Sequence, residues 1–452
     1  MNERSAAFLE SLDNRIGEIA SACTACGACA EACPTIGVAG LESHETGALT
    51  AGVREILRSG AGPEASETWA TMCCGSGKCL TVCPEGINPR FMLTMARRSL
   101  SQAKAEPERR AAGKAAFQKM SRGVRVLSRL SLPPDLLEKL SPRSHPEREE
   151  VPDLVFYTGC NMLKTPHIGL LCLDMLEALG VTYEVQGGPG ACCGILSARP
   201  GDTENSGRQA FATLDKMAAS KTSEVLSWCP TCQIQFGETM IPSYREVTGS
   251  SLEMTMFPVW LADRLSELRP LMTQPVNKRV AIYEYAGELG VTEAVRALLG
   301  AIPGLEIVEI ETRSIGYTNA ALAPLGSYHR DTIAQGLRDA EAAGVDTLVG
   351  IYHADHREFS GHEAHWPFSI ANYMELVGES MGLAEPDRFK ELKAMQDVDA
   401  ILAASRDQIA AHGLDPELVR DVVLQDMLGD QVLPVERATH AQAGSPAPRK
   451  SA

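Results

Sequence analysis

The chain has 452 residues, of which 44% are hydrophobic and 22% charged, and its formal net charge is −16. This length allows two or three domains with separate cores, and the composition is that of an ordinary globular protein. The negative charge argues against nucleic-acid binding, which leaves a basic footprint, and suits an electron carrier that meets basic patches on its partners.

The N-terminus predicts neither a signal peptide nor a membrane anchor. It leads directly into a charged amphipathic helix. The longest apolar stretch, residues 168–179, is interrupted and too short to span a bilayer, so we expect no transmembrane segment. We therefore expect a cytoplasmic protein, whose contact with a membrane would come only through a partner.

Residues 1–104 predict a mostly helical domain. Helices are expected at 5–21, where apolar residues repeat on one stripe, at 45–59, around Trp69, and at 89–104. Residues 105–150, rich in proline and charge, predict a helix-bearing linker that lies over the surface.

From residue 151 the pattern changes to alternating strands and helices, which indicates an α/β architecture. We predict strands at 154–157, 181–185 and 224–228, with helices at 168–179 and 205–219 between them. The first α/β unit would cover 151–270 and a second one 276–380. C-terminal helices would follow at 381–430, and a disordered tail at 431–452.

Fourteen cysteines in a large chain without an export signal favour metal binding over a disulfide framework. Cys172 lies at helical spacing among apolar residues and is predicted to be a core thiol. The other thirteen fall into three groups.

The first group is the run of a bacterial ferredoxin, in which three close thiolates hold one cubane cluster and the fourth reaches a neighbouring cluster. Its members are Cys23, Cys26, Cys29 and Cys33, and Pro34 follows the last of them. A zinc site would usually need two cysteine pairs with a longer gap between them.

The second group resembles the first but departs from it at one position. It comprises Cys73, Cys74, Cys79 and Cys83, with Ser76 where the ferredoxin spacing requires a cysteine. Either Cys74 moves in to complete a four-iron cluster, which we favour, or three ligands hold a three-iron cluster. By the crossing rule, one cluster has Cys23, Cys26, Cys29 and Cys83, and the other has Cys33, Cys79 and Cys73 and/or Cys74.

The third group has five thiols, too many for one tetrahedral zinc. It comprises Cys160, then Cys192 and Cys193 followed by Gly194, and then Cys229 and Cys232 in a Cys-Pro-Thr-Cys sequence.

The second α/β unit predicts an internal duplication that has lost its cysteines. Aligning Tyr283 with Tyr157 places Ala286 at the position of Cys160, and His353 and His356 at those of Cys229 and Cys232. These two histidines are candidate proton donors or pocket residues, and a mononuclear metal is an alternative ligand for them. A histidine-rich surface loop is the other interpretation.

Together these motifs resemble a heterodisulfide-reductase-like iron–sulfur protein, as a fusion of a helical two-cluster ferredoxin subunit with a cysteine-rich subunit carrying the CCG motif. The chain also looks like the iron–sulfur subunits of glycolate and lactate oxidases. The resemblance implies an α+β multidomain fold: an all-α ferredoxin domain with two [4Fe-4S] clusters, the second of them alternatively [3Fe-4S], and a duplicated α/β CCG-type domain. It further implies that Cys160, Cys192, Cys193, Cys229 and Cys232 hold a noncubane [4Fe-4S] cluster, with zinc as the alternative.

The function implied is that of an oxidoreductase acting on sulfur groups as part of a complex. Electrons from a flavoprotein or other donor subunit would pass through the two ferredoxin clusters to the CCG cluster, where a thiol, disulfide or sulfur-carrier substrate is reduced or formed. The alternative is a non-catalytic electron-relay subunit of a flavoprotein hydroxy-acid oxidase or dehydrogenase complex.

Overall fold

The computed structural model describes residues 3–145, 150–286 and 289–440. Within 3–145 it contains helices and no strand, which confirms the predicted helical character of this region. The helices are α1 (Glu3–Ala22), α2 (Ala28–Glu31), α3 (Thr35–Val38), α4 (Thr46–Ser59), α5 (Glu64–Met72), α6 (Pro89–Ser101), α7 (Glu106–Ser131) and α8 (Pro134–Leu140).

Helix α1 joins the helical domain to the first α/β unit through the apolar stripe seen in the sequence. Phe8, Leu12 and Ile16 on that stripe are buried. The ring of Phe8 meets Phe211 edge-on, with 5.2 Å between the ring centroids. Because this face packs on another domain, its burial stabilises the domain interface as well as the helix.

The first α/β unit has a four-stranded parallel sheet in the order β2-β1-β3-β4. Its strands are β1 (Leu154–Gly159), β2 (Tyr183–Gly187), β3 (Glu224–Ser227) and β4 (Glu253–Met256). Its helices are α9 (Pro166–Ala178), α10 (Ile195–Ala198), α11 (Thr203–Ala219), α12 (Pro230–Ile234), α13 (Ile241–Thr248), α14 (Phe257–Asp263) and α15 (Leu265–Leu268). Three strands match the prediction, whereas β4 was not predicted because it is short and only partly buried.

The second α/β unit has a parallel sheet in the order β10-β9-β5-β7 and a separate two-stranded pair, β6 and β8. Its strands are β5 (Arg279–Ile282), β6 (Glu284–Tyr285), β7 (Glu306–Ile307), β8 (Arg313–Ser314), β9 (Thr347–Gly350) and β10 (Ser369–Asn372). Its helices are α16 (Val291–Gly300), α17 (Ser327–Ala342), α18 (His353–Phe359) and α19 (Tyr373–Met381). Counted within each sheet, the strands of both four-stranded sheets are parallel and the first strand pairs with the third.

The predicted surface linker at 105–150 is a core element over part of its length. Helix α7 buries Val126, Leu127 and Leu130 completely. They form one apolar cluster with the C-terminal helices α20 (Arg388–Ala394), α21 (Val398–Ala404), α22 (Arg406–Ala411) and α23 (Pro416–Val422). The proline and charge content concealed this apolar stripe, which explains why the sequence indicated a linker.

The predicted disordered tail at 431–452 requires a similar correction for its first ten residues. Leu433 is 2% exposed, and the carboxylate of Glu358 accepts hydrogen bonds from the backbone amides of Val432 and Leu433. These contacts fix residues 431–440 on the second α/β unit. Residues 441–452 lie outside the described part of the chain.

Among the described residues, no helix has the length and hydropathy that crossing a membrane requires.

Replacing Leu127 by Ala tests whether α7 is structural. The change removes buried methyl groups from the cluster beneath the C-terminal helices, so we expect a loss of about 3 kcal/mol in unfolding free energy. Arg125→Ala, at an exposed position of the same helix, should change stability by less than about 0.5 kcal/mol. Denaturant unfolding followed by circular dichroism measures both, and equal small effects would restore the surface-linker interpretation.

Candidate metal centres

The structure brings together the four thiols that the crossing rule assigns to the first cluster. Cys23, Cys26, Cys29 and Cys83 line one small cavity, although the first and last of them are far apart in sequence. The loop turns at Gly27, whose φ of +87° suits glycine, and a Cβ there would lie 2.5 Å from Thr46 Oγ1. A glycine is therefore required for the loop to lie this close to α4.

The second group gathers Cys33, Cys73 and Cys79. Burial raises the pKa of Cys79, and the neighbouring thiols of Cys73 and Cys33 raise it further. The indole Nε1 of Trp69 donates to Cys33 Sγ at 3.3 Å. Such an N–H to sulfur contact stabilises a thiolate, so this group is suited to holding a cationic metal centre.

The thiol of Cys74 points toward other protein groups. Its Sγ lies 3.2 Å from Thr35 Oγ1 and 3.4 Å from the backbone oxygen of Ile315. It also packs with Leu322 and Leu325 in a small apolar cluster of its own. Because both polar contacts are made away from Cys33 and Cys79, the geometry favours the three-ligand alternative for the second cluster.

The five cysteines of the third group meet at the carboxyl edge of the first sheet. Cys160 follows β1, the pair Cys192 and Cys193 lies between β2 and α10, and Cys229 and Cys232 occupy the start of α12. Loops at the carboxyl ends of parallel strands converge, and this edge is where open α/β sheets commonly bind ligands. The order of strands in the sheet therefore assembles cysteines that are distant in sequence.

Two glycines allow this convergence. Gly159 has a φ of +69°, and a Cβ there would lie 3.6 Å from Cys232 Sγ. Gly194 has a φ of +81°, and a Cβ there would overlap the backbone oxygen of Ser206. Gly194, the glycine of the CCG motif, is therefore a position at which no side chain fits.

The donor set fits an iron–sulfur cluster. Burial raises the pKa of Cys160 to about 12, and Cys193 and Cys229 nearby add to the shift. Tyr157 donates its hydroxyl hydrogen toward Cys232 Sγ at 3.8 Å. Several thiolates cannot share such a buried site without positive charge to balance them. A cationic iron core, or zinc, would supply that charge.

The second unit has buried oxygen and nitrogen groups at the corresponding edge. Helix α18 begins after Tyr352, as α12 begins after Cys229. Aligned at these caps, Asp355 stands at the position of Cys232. The Tyr285 hydroxyl donates to the Asp355 carboxylate, and Asn319 contacts both residues. The alignment that placed His353 and His356 at the cysteine positions is thus off by one residue, because the strand-to-helix turn differs in length.

The two candidate histidines are both buried but have different surroundings. Burial and the charges of Arg357 and Lys164 lower the pKa of His353 to about 3, and its Nδ1 has no hydrogen-bond partner among the described residues. His356 Nε2 lies 2.5 Å from Asp387 Oδ2. His353 is therefore neutral near pH 7, whereas His356 is held by a carboxylate.

A cavity of about 340 Å³ lies between the second ferredoxin-type loop and the CCG site. Cys73 and Gly75 line it on one side, Thr231 of the Cys-Pro-Thr-Cys sequence on another, and Tyr317 of the second unit on a third. The Tyr317 hydroxyl is 3.3 Å from Thr231 Oγ1, and its amide donates to the backbone oxygen of Cys74.

Four arginines line this cavity. Arg90 is paired with Glu238 and Arg98 with Asp13. Arg97 contacts only backbone and hydroxyl oxygens, and no carboxylate in the described part of the chain pairs with it or with Arg199. The positive charge of Arg199 also lowers the pKa of Cys193. The cavity therefore has two cations available for an anionic ligand. No sequence pattern indicated it, because its residues come from three domains.

Comparison with known proteins supports the assignment of the two main motifs. Residues 19–87 match the model of the 4Fe-4S dicluster domain. Residues 154–237 match that of the CCG cysteine-rich domain. The chain is a heterodisulfide-reductase-like iron–sulfur protein.

One curated relative of this heterodisulfide-reductase-like protein is a subunit of the fumarate reductase (CoM/CoB) of Methanothermobacter marburgensis. The two are 29% identical over 160 residues, which is 34% of this chain and 30% of the relative. The chain thus spans less than a third of the relative it matches. An iron–sulfur protein with an electron-transfer function is consistent with all three matches.

Replacing Gly194 by Ala should prevent assembly of the third centre, because the new methyl group would collide with backbone at Ser206. We expect the anaerobically purified variant to contain about four fewer irons per chain than the wild type. Gly190→Ala is the matched control, since no atom lies within 4 Å of a Cβ at that position. Iron analysis of both proteins makes the measurement, and an unchanged iron content in the Gly194 variant would contradict the assignment.

Proposed function

We propose that this chain is the iron–sulfur subunit of a heterodisulfide-reductase-like complex, and that a disulfide or other sulfur substrate is reduced or formed at its CCG site. The observation that carries the proposal is the cavity that adjoins both the CCG loops and the second ferredoxin-type loop. A substrate in this space would lie between the place where electrons arrive and the five-cysteine centre.

Three clusters would be held by twelve of the thirteen motif cysteines, with Cys74 left out. Cys23, Cys26, Cys29 and Cys83 would hold the first and Cys33, Cys73 and Cys79 the second, while Cys160, Cys192, Cys193, Cys229 and Cys232 would hold the noncubane third. When bound, these clusters supply one-electron transfer between the ferredoxin domain and the CCG site.

The residues around the cavity would bind and orient the substrate. Arg97 and Arg199 would attract a negatively charged group, because their positive charge faces a confined space with little water to screen it. Tyr317 and Thr231 offer hydroxyl groups for hydrogen bonds at the wall next to the Cys-Pro-Thr-Cys sequence. The cavity therefore favours an acidic thiol or disulfide over a neutral one.

His353 remains a proposed pocket residue, in a role other than that of a cationic proton donor. A histidine whose pKa lies near 3 is uncharged at neutral pH and cannot act as a cationic acid. Its unpaired Nδ1 can accept or share a hydrogen bond instead. His356 is engaged by carboxylates, so it is not available to a substrate in the cavity.

The electron donor would be a separate flavoprotein or another redox subunit, since one protein similar to this chain is itself named as a subunit of a reductase. We also propose that the two α/β units arose by duplication. Their parallel sheets support this, and so do the matching positions of α12 and α18 after strands β3 and β9.

A relay without catalysis is the second candidate function. It is favoured by the second unit, where Tyr285, Asn319 and Asp355 occupy the edge that carries cysteines in the first unit. A single five-cysteine centre offers only one site for one-electron steps, while disulfide cleavage needs two electrons. In a relay subunit of a hydroxy-acid oxidase complex, a partner flavin would perform the chemistry.

Thiol probes distinguish catalysis from relay. We expect 3-mercaptopropionate to alter the paramagnetic resonance spectrum of the third cluster at lower concentration than uncharged 2-mercaptoethanol, because Arg199 attracts its carboxylate. Arg199→Gln should remove this difference, and Arg208→Gln, at an exposed position of α11, should preserve it. A spectrum unaffected by either thiol would indicate a relay. Metal analysis showing about eight irons and one zinc would instead overturn the third cluster.

Replacing Cys74 by Ala tests the ligands of the second cluster. Since the Cys74 thiol contacts Thr35 and Ile315, we expect the variant to keep its full iron content, while Cys79→Ala loses the second cluster. The oxidised wild type should then show the paramagnetic signal of a three-iron cluster, which an oxidised four-iron cluster lacks. Loss of iron in the Cys74 variant would restore the four-iron interpretation.

A further inference from the structure

Two histidines and two carboxylates form a buried cluster outside the cysteine motifs. His167 lies in the first turn of α9, His356 in α18 and Glu375 in the first turn of α19, while Asp387 caps α20. One ligand atom from each of the four lies within 4.8 Å of all the others. The cluster therefore joins the first α/β unit, the second unit and the C-terminal helices at one point.

Asp387 contacts one nitrogen of each histidine ring. Its Oδ2 is 2.5 Å from His356 Nε2, and its Oδ1 is 3.3 Å from His167 Nδ1. With these two nitrogens carrying hydrogens toward the carboxylate, the opposite nitrogens are left with lone pairs. A histidine that binds a metal usually donates its other N–H to a carboxylate in this way, which fixes the tautomer and the ring orientation.

The opposite nitrogens are buried and have no hydrogen-bond partner within the described ranges. They are His167 Nε2 and His356 Nδ1, on side chains that are 2% and 0% exposed. Both are directed toward Glu375 Oε2, at 3.9 and 3.7 Å, too far for a hydrogen bond. An unmet buried acceptor is costly, so two of them facing one carboxylate oxygen indicate a missing cation between the three atoms.

The spacing suits a divalent transition metal. Ligand atoms about 2.0–2.2 Å from a tetrahedral zinc lie roughly 3.4 Å from one another, so the three atoms need to close by only a few tenths of an ångström. The backbone amide of Asn372 donates to Glu375 Oε2 at 2.6 Å and holds the carboxylate in place. The Glu375 side chain is 22% exposed, which leaves room for a water ligand.

We propose that His167, His356 and Glu375 bind one divalent transition-metal ion, of the Zn²⁺, Fe²⁺ or Mn²⁺ class, and that Asp387 positions both histidines. Two imidazoles and one carboxylate are the ligand set such ions take in proteins. The ion would tie the start of α9, a few residues after Cys160, to the second unit. This proposal does not depend on the sulfur chemistry proposed for the CCG site.

Equilibrium dialysis of the full-length, cluster-loaded protein against Mn²⁺ tests the site, after chelator treatment to remove loosely held metal. Because Mn²⁺ prefers oxygen and nitrogen donors to thiolates, cysteines should not compete for it. We expect one Mn²⁺ per chain, displaced by one Zn²⁺, with free Mn²⁺ followed by room-temperature paramagnetic resonance. His167→Gln and Glu375→Gln should lose the binding, and Asp387→Asn should weaken it by about tenfold to a hundredfold.

His329→Gln is the matched control, because His329 is also buried with an unpartnered ring nitrogen but lies outside the cluster. It should bind Mn²⁺ as the wild type does. Iron content and the circular dichroism spectrum check that each variant is folded and loaded. Substoichiometric binding by the wild type would overturn the proposal, whatever the variants do. Wild-type affinity in both His167→Gln and Glu375→Gln would overturn it as well.

Discussion

Thirteen of the fourteen cysteines are gathered at or beside three sites, and the burial of their sulfur atoms is the constraint on which the rest of the structure depends. Thiolates packed against one another in a protein interior repel each other and have lost their hydration, so they are stable only around a cationic centre. The surrounding loops accordingly avoid side chains at Gly27, Gly159 and Gly194. The fold supplies what the metal needs, which is close approach of the backbone and exclusion of water.

The second α/β unit shows what happens to such a site without cysteines. It retains the parallel sheet and the helix that starts after strand β9, while Tyr285, Asn319 and Asp355 satisfy one another by hydrogen bonds. Burial raises the pKa of Asp355 to about 7, and the hydrogen bond from Tyr285 partly offsets this. This unit now contributes Tyr317 to the cavity wall, so it shapes the surroundings of the CCG site through groups other than thiols.

Much of the fold was predictable because its determinants are local. Cysteine spacing is set by the loop that wraps a metal, and the strands at 154, 224 and 347 are marked by runs of apolar residues. The grouping of Cys83 with Cys23 also followed from spacing. Features that depend on tertiary contacts were not predictable, among them the core role of Leu127, the orientation of Cys74, and the approach of His167 to His356. In each case the deciding neighbour lies far away in sequence, and a short apolar or polar residue carries no periodic signal of its own.

Arg90 and Glu238 form a salt bridge with side chains only 5% and 14% exposed, between the helical domain and the segment that follows the Cys-Pro-Thr-Cys helix. Were these two domains separate chains, each would have to expose or desolvate an unpaired charge until it met the other. Covalent linkage makes their meeting intramolecular, at an effective concentration set by the chain between them. The single polypeptide thus guarantees one ferredoxin module for every CCG module, and mismatched assembly with a related partner is ruled out at the level of translation.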